Sequence, residues 1–497
     1  MREQGKSPSR SRENRELSSS RSNSAIPSKR PENRATFQVI QWIFIVLSFC
    51  LILWLGKILI VDRETISANE YNPIGGEREA DIIRGSILAS NGSRLAYTDL
   101  SEDGSEVRRY PYGAACAHVV GYTGGGQAGL EDEASEILLS PSTLMSQLQS
   151  WASDEKVQGC SVQTTLDIDL QNYIYDQLDG YRGAVIVSEP STGRVLAMVS
   201  NPSFDPETLF DNWESIIANE ESPLYARATM GLYPPGSVFK IITALAMYRN
   251  LPDYNGYSYD CHGELQVDDQ VIECNDHTEH GYMELPDAFA YSCNGFFGKA
   301  GVEMGSRVLR QTAQYVKLGE TFNFILPESE SYMNLSESDV DSMVAQTAMG
   351  QGETLVTPMS INQLTCAIAN QGSLYTPYLV EAVLDARGNV LEQTQPALWG
   401  SVMSESEAAF LQELMRGVTR YGTASRLSGY DYEVFGKTGT AQVNEDQDSH
   451  SWFTGFTRMD GKTDIAITVL LENGASGIGA VPLTDDILWY YYNRSVD

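Results

Sequence analysis

The chain has 497 residues, is 42% hydrophobic and holds 26 tyrosines, enough for a large packed domain with smaller pieces attached. Its formal net charge of −32 argues against nucleic acid as a partner. Seven cysteines at irregular spacing do not form the ladder of a disulfide-stapled miniature fold.

Taken in chain order, residues 1–36 carry nine Lys/Arg against four Glu and almost no large apolar side chains, which predicts a disordered basic tail. Residues 37–61, "FQVIQWIFIVLSFCLILWLGKILIV", are almost wholly apolar. At about 1.5 Å per residue such a helix crosses a hydrocarbon core of roughly 30 Å. Trp42 and Trp54 lie toward its two ends, and the basic tail belongs on the cytoplasmic side. No small-x-small cleavage site follows directly, so an uncleaved single-pass anchor of the plasma membrane is expected, with everything after Val61 extracytoplasmic.

Residues 62–160 are broken by Gly and Pro into short pieces and read as a small extracytoplasmic pedestal. Within it, "SILASNGSRLAYT" predicts a hairpin about Asn91-Gly92, and a serine-rich stretch before residue 160 reads as a linker. Residues 161–497 form the main domain. "TTLDIDLQNYIYDQLDGY" predicts a short strand then a helix, and "GAVIVSEPSTGRVLAMVS" an antiparallel strand pair. Helical patterns such as "SEAAFLQELMRGVTR" fill the middle, and "FGKTGTAQ", "SWFTGFTR" and "DIAITVLLENG" give three closing strands. The expected fold is α+β, with an antiparallel sheet that joins both ends of the domain.

The chemistry gathers at "YPPGSVFKIITALA", residues 233–246. Pro234-Pro235-Gly236 force a turn, and Ser237 then stands where helices favour serine at their start. The run after it is apolar around most of its circumference, so the helix should be buried. Lys240 lies one turn below Ser237 on the same face, where burial and the helix dipole favour its neutral form. A neutral lysine beside a serine is a general base beside a nucleophile. Ser-x-x-Lys alone is weak, since Ser153–Lys156 repeats it in polar surroundings. Ser-x-Asn also occurs three times, at Ser67–Asn69, Ser292–Asn294 and Ser360–Asn362. The ordered set Ser237-x-x-Lys240, Ser292-Cys293-Asn294, Lys437-Thr438-Gly439-Thr440 is far more specific.

On these motifs, with "AMGQGETLVTPMSINQLTCAIANQG" and "WFTGF", the chain resembles the class B penicillin-binding proteins, and its short pedestal resembles the penicillin-binding protein A-like type. Ala89-Ser90 and Glu207 depart from that pattern, outside the catalytic motifs. The resemblance implies the penicillin-binding/serine β-lactamase-like fold and a peptidoglycan D,D-transpeptidase that binds penicillin covalently. Ser237 would attack the penultimate D-Ala carbonyl of a stem peptide, Lys240 take its proton, and Ser292 relay a proton to the leaving amine. Asn294 would hold the substrate amide and Lys240, Lys437 and Thr438 would bind the terminal carboxylate, and Gly439 and Thr440 would complete the substrate-binding strand. The backbone N–H groups of Ser237 and Thr440 would form the oxyanion hole. A glycosyltransferase of the cell-wall machinery is the implied partner, and no cofactor is implied.

Rival readings are a catalytically weak scaffold of that machinery and a membrane-tethered β-lactamase. Glu330-Ser331-Tyr332-Met333-Asn334 carries the second idea, because it resembles the deacylating Glu element of β-lactamases, although an acidic surface loop matches it as well. "CHGELQVDDQVIECNDHTEH" gathers Cys261, His262, Cys274, His277 and His280. The spacing fits no closed Cys/His zinc pattern, so no metal is expected, and a Cys261–Cys274 disulfide or free buried thiols stay open.

Overall fold

The computed structural model describes residues 34–60, 82–101, 105–141, 156–442, 449–474 and 479–494. The expected tail up to residue 33 and the serine-rich linker at 142–155 lie outside the described residues. The chain divides into two units, residues 1–75 and 76–497.

In the first unit, helix α1 spans Arg34–Ile60, 27 residues, and so begins three residues before the apolar run. Its apolar side chains from Val39 to Trp54 are exposed. Side chains are described continuously over 38–54 only, and no helix among the described residues is long and apolar enough to cross a membrane. The anchor reading therefore rests on the sequence.

Early in the second unit comes a hairpin, β1 (Ile87–Leu88) and β2 (Arg94–Leu100), closed about Asn91-Gly92 as its sequence predicts. Gly92 adopts φ +83°, and Asn91 Oδ1 accepts from Ser93 N at 3.0 Å. β3 (Glu106–Arg109) pairs with β2, and β4 (Ser161–Thr164) lies parallel to β1. Asp167 caps helix α2 (Ile168–Gln177), accepting from Leu170 N. β5 (Gly183–Ser188) and β6 (Val195–Asn201) are the expected antiparallel pair.

A 3-10 turn, Gly236–Phe239, runs into helix α3 (Lys240–Asn250), whose residues Lys240 to Met247 are all buried. An excursion of short strands follows: β7 (Ser258–Cys261), β8 (Glu264–Val267), β9 (Gln270–Glu273) and β10 (Gly281–Glu284). Helices α4 (Leu285–Ala290) and α5 (Asn294–Met304) flank the Ser292 turn. Then come α6 (Asp341–Ala348), α7 (Pro358–Ala369), strands β11 (Val380–Leu384) and β12 (Val390–Gln393), and α8 (Glu405–Arg420), which opens with a Ser404/Glu407 capping box. The chain closes with β13 (Glu433–Ala441), β14 (His450–Arg458), β15 (Ala466–Leu471) and α9 (Ala480–Asn493).

The main sheet has the order β13-β14-β15-β5-β6 and is antiparallel throughout, so it does join the start and end of the domain. Every residue of β5 and β15 is buried, which requires cover on both faces. α7 packs against β5, β14 and β15, while α9 packs with α2. The second sheet, ordered β12-β11-β4-β1-β2-β3, combines strands from before and just after residue 160 with the β11–β12 pair from far along the chain. The α+β class expected from the sequence is the class observed.

Candidate active site

The 3-10 turn that carries Ser237 is clamped from both sides. Gly236 takes φ +54° and donates its N–H to Gly350 O at 2.8 Å. Gly350 takes φ +90°, and a Cβ there would stand 1.7 Å from Gly236 O, so only glycine fits. Tyr233 and Val356 exchange backbone hydrogen bonds of 2.9 and 2.8 Å, and the Trp452 indole donates to Pro234 O at 3.1 Å. Ser237 is not the helix cap its position suggested. It sits inside the 3-10 turn, which has no side-chain cap, and α3 proper begins at Lys240.

Lys240 is fully buried, and its Nζ donates to Ser292 O (2.7 Å), Ser292 Oγ (3.2 Å) and Asn294 Oδ1 (2.6 Å). From the opposite wall, Lys437 Nζ donates to Ser292 Oγ and Thr438 O, both at 2.9 Å. Ser292 holds φ +59°, a costly conformation for a residue with a Cβ, at the turn where α4 ends and α5 begins. Asn294 Nδ2 donates to Glu273 O at 2.7 Å, so both ends of that amide are already occupied. Thr438 Oγ1 is 2.7 Å from Thr423 Oγ1. Ser237, Ser292, Asn294, Thr438, Gly439 and Thr440 all line one cavity of about 1110 Å³.

Two buried lysines meet at the Ser292 hydroxyl. Burial lowers the Lys240 ammonium to about 8. Lys437 is pushed well below the usual lysine range, first by burial and then by the charge of Lys240. Phe297 and Phe289 rings lie 5.6 Å from Lys240 Nζ and Lys437 Nζ respectively, so each amine faces a π surface. The Ser292 hydroxyl thus lies between two buried lysines, and Ser237 lines the same cavity as Ser292.

The penicillin binding protein transpeptidase domain family matches residues 183–488, and the penicillin binding protein A dimerisation domain family matches residues 84–162. The chain belongs to the penicillin-binding protein transpeptidase family. Among curated relatives, the peptidoglycan D,D-transpeptidase PbpA of Mycolicibacterium smegmatis is 30% identical, the alignment covering 80% of this chain and 85% of that one. The peptidoglycan D,D-transpeptidase MrdA of Acinetobacter baumannii is 27% identical over 77% of this chain and 66% of its own length. Among solved structures, penicillin-binding protein A from M. tuberculosis, as its imipenem acyl-enzyme complex, superposes with a TM-score of 0.75. That pair shares 27% identity and covers 82% of this chain and 99% of that one.

In this penicillin-binding protein, the described residues of the repeated motifs stand apart from the cavity. Lys156 pairs with Glu106 at 2.6 Å on the surface, and Asn362 is buried against Ser188 Oγ at 2.7 Å. Ser67–Asn69 lies outside the described residues. Glu330 is exposed and does not line the cavity. Its neighbour Ser331 is tied to Ser360 Oγ at 2.7 Å and Thr357 N at 3.0 Å, at the start of α7. Glu207, a departure from the family pattern, accepts from Tyr110 N at 2.8 Å and so links the first strands to the main domain.

Of the five residues gathered from the cysteine excursion, Cys261, Cys274 and His280 converge, and His262 and His277 do not. His262 and His277 are exposed and lie 3.5 and 3.6 Å from Asp260 and Glu273. The group that converges is Cys261, Cys274, His280 and Cys293, with all four ligand atoms within 4.8 Å of one another. Cys293 was overlooked because it stands 13 residues beyond His280, in the middle of the Ser-x-Asn motif. Cys261 and Cys274 are free thiols 3.6 Å apart, so the open disulfide reading is not realised.

Proposed function

We propose that this chain is a peptidoglycan D,D-transpeptidase that works through a serine acyl-enzyme on Ser237. The observation that carries the reading is the convergence of Lys240 and Lys437 on the single hydroxyl of Ser292, beside Ser237 at one cavity. Neutral Lys240 takes the Ser237 proton as the hydroxyl attacks the penultimate D-Ala carbonyl of a stem peptide. Ser292, held by both lysines, passes a proton to the departing D-Ala amine. Lys437, Thr438 and Gly439 face the terminal carboxylate, and the N–H groups of Ser237 and Thr440 face the developing oxyanion. An amine of a second stem peptide then resolves the ester and forms the cross-link. Asn294 acts as a positioning residue for Lys240, since its other end is tied to Glu273 O.

A β-lactam is attacked by the same serine. A transpeptidase must keep water from its acyl-enzyme, and the exposure of Glu330 away from the cavity supports that reading over a β-lactamase. In the same proposal, residues 37–61 anchor the chain in the plasma membrane with residues 1–36 inside. Residues 62–160 form the pedestal, residues 161–497 work on the outer side, and a glycosyltransferase supplies the glycan strands.

Fluorescent penicillin labelling tests the core of this. Wild type should label and Ser237→Ala should not; equal labelling of both, or of neither, would overturn the assignment.

A further inference from the structure

We propose that Glu472 is a positioning residue for the nucleophile, holding the turn that carries Ser237 through the hydroxyl of Tyr233. This rests on the acylation reading of Ser237. Glu472 follows β15 directly, and its side chain is 13% exposed. Three donors meet on that carboxylate. The Tyr233 hydroxyl donates to Oε1 at 2.7 Å, Arg227 Nε lies 2.7 Å from the same oxygen, and Arg182 Nε lies 3.5 Å from Oε2. The Glu472 N–H also donates to Arg182 O at 2.7 Å, which fixes the backbone beneath the carboxylate.

The donors are held in turn. Arg227 is buried, and its other nitrogens reach Ser222 O at 3.1 Å and Glu221 O at 2.6 Å, which aims Nε at Glu472. Tyr233 is buried as well. Burial first, and then the charge of Glu472, push its phenol above the usual tyrosine range, so the hydroxyl stays a donor. A Cβ on Gly231 would stand 2.3 Å from Tyr233 Cε2, so that glycine leaves the space the ring fills.

Tyr233 stands four residues before Ser237. Its ring meets Trp452 edge to face at 6.3 Å, and Trp452 donates to Pro234 O, the carbonyl that opens the turn. The His450 ring meets Tyr233 in the same way at 5.5 Å, and His450 Nδ1 accepts from Asn473 N, next to Glu472, at 3.1 Å. Glu472 thus fixes the ring, and the ring and Trp452 fix the chain at Tyr233 and Pro234. A buried ion pair is weak evidence for added stability, because desolvation offsets much of the attraction. A charge-assisted bond that ends just before a nucleophile instead restricts geometry, and a misplacement of about 1 Å there costs on the order of 10² in rate.

The test is stopped-flow acylation of the full chain in detergent by a fluorescent penicillin, which separates the dissociation constant of the first complex from the acylation rate constant. Tyr233→Phe removes one hydroxyl and keeps the ring. Its acylation rate constant should fall at least about fivefold, with the dissociation constant within about twofold of wild type. Tyr225→Phe removes a hydroxyl bonded to Met230 O at 2.8 Å on the same segment, and should match wild type in both constants. Glu472→Gln should slow acylation like Tyr233→Phe, and the double variant should be at most about twofold slower than the slower single one. Should Glu472→Gln fail to fold, the two tyrosine variants carry the test. A wild-type rate constant in Tyr233→Phe, a loss confined to the dissociation constant, equal slowing in Tyr225→Phe, or effects that multiply in the double variant would each overturn the role of Glu472. A wild type that the penicillin does not acylate would overturn the acylation reading itself, and this proposal with it.

Discussion

Burial brings Lys240 to about 8, and the proposed role needs its neutral form. The sign follows directly: lowering the pH protonates the base and removes it. The rate of acylation by a penicillin should rise about tenfold per pH unit below 8 and level off above it, measured as the second-order rate of fluorescent penicillin labelling. A flat profile between pH 6 and 8 would remove Lys240 from the role of base. Lys240→Ala should label at least about 10²-fold more slowly while keeping its fold by circular dichroism. Gly350 makes a purely steric prediction. An alanine there meets Gly236 O at 1.7 Å and must also hold φ +90°. Gly350→Ala should lose at least about 2 kcal/mol of stability and slow acylation as well, because the carbonyl it displaces belongs to the turn that carries Ser237. Retention of wild-type melting and labelling would show that the turn yields at no cost.

At the scale of elements, a buried ionic group sits among the first strands. Arg84 Nε and Arg108 Nε lie 2.6 and 2.7 Å from the two oxygens of Glu131, whose side chain is fully buried. Arg108 Nη1 also donates to Gly85 O at 2.8 Å, which links β3 to the residues just before β1. Glu131→Gln leaves two guanidinium groups facing a neutral amide, and breaking a buried pair in this way typically costs about 3–5 kcal/mol. A fall in the unfolding midpoint of the corresponding transition checks this; an unchanged midpoint would show that water replaces the carboxylate. The loop before α7 makes the opposite prediction. Glu330 stands apart from the cavity, so Glu330→Gln should leave the penicilloyl-enzyme lifetime unchanged in a chase experiment. A lifetime that depends on Glu330 would make this protein a β-lactamase.

For the whole molecule, residues 76–497 form one compact unit that holds both sheets and every residue assigned to acylation. A fragment of those residues should fold alone and label with penicillin within roughly twofold of the full chain. The full chain should sediment with membranes through residues 37–61, whereas the fragment should stay in the supernatant. Full-length protein found in the supernatant would rule out the anchor.

The order of the motifs and the periods of their flanks were enough to identify Ser237, Lys240, Ser292, Asn294 and Lys437 as one group. An α+β sheet closed by "FGKTGTAQ" was equally legible, because alternation, turn residues and an isolated cation in an apolar helix are local signals. Other features depend on contacts between residues distant in the chain. The 3-10 geometry of Ser237 is set by Gly350 and Trp452, more than a hundred residues away. The tie from Asn294 to Glu273 depends on how the β7–β10 excursion folds back over α5. The cysteine cluster shows the difference most sharply. His262 and His277 share that stretch of sequence, but both stand outside the paired strands with exposed side chains, and only the folded chain brings Cys293 to Cys274.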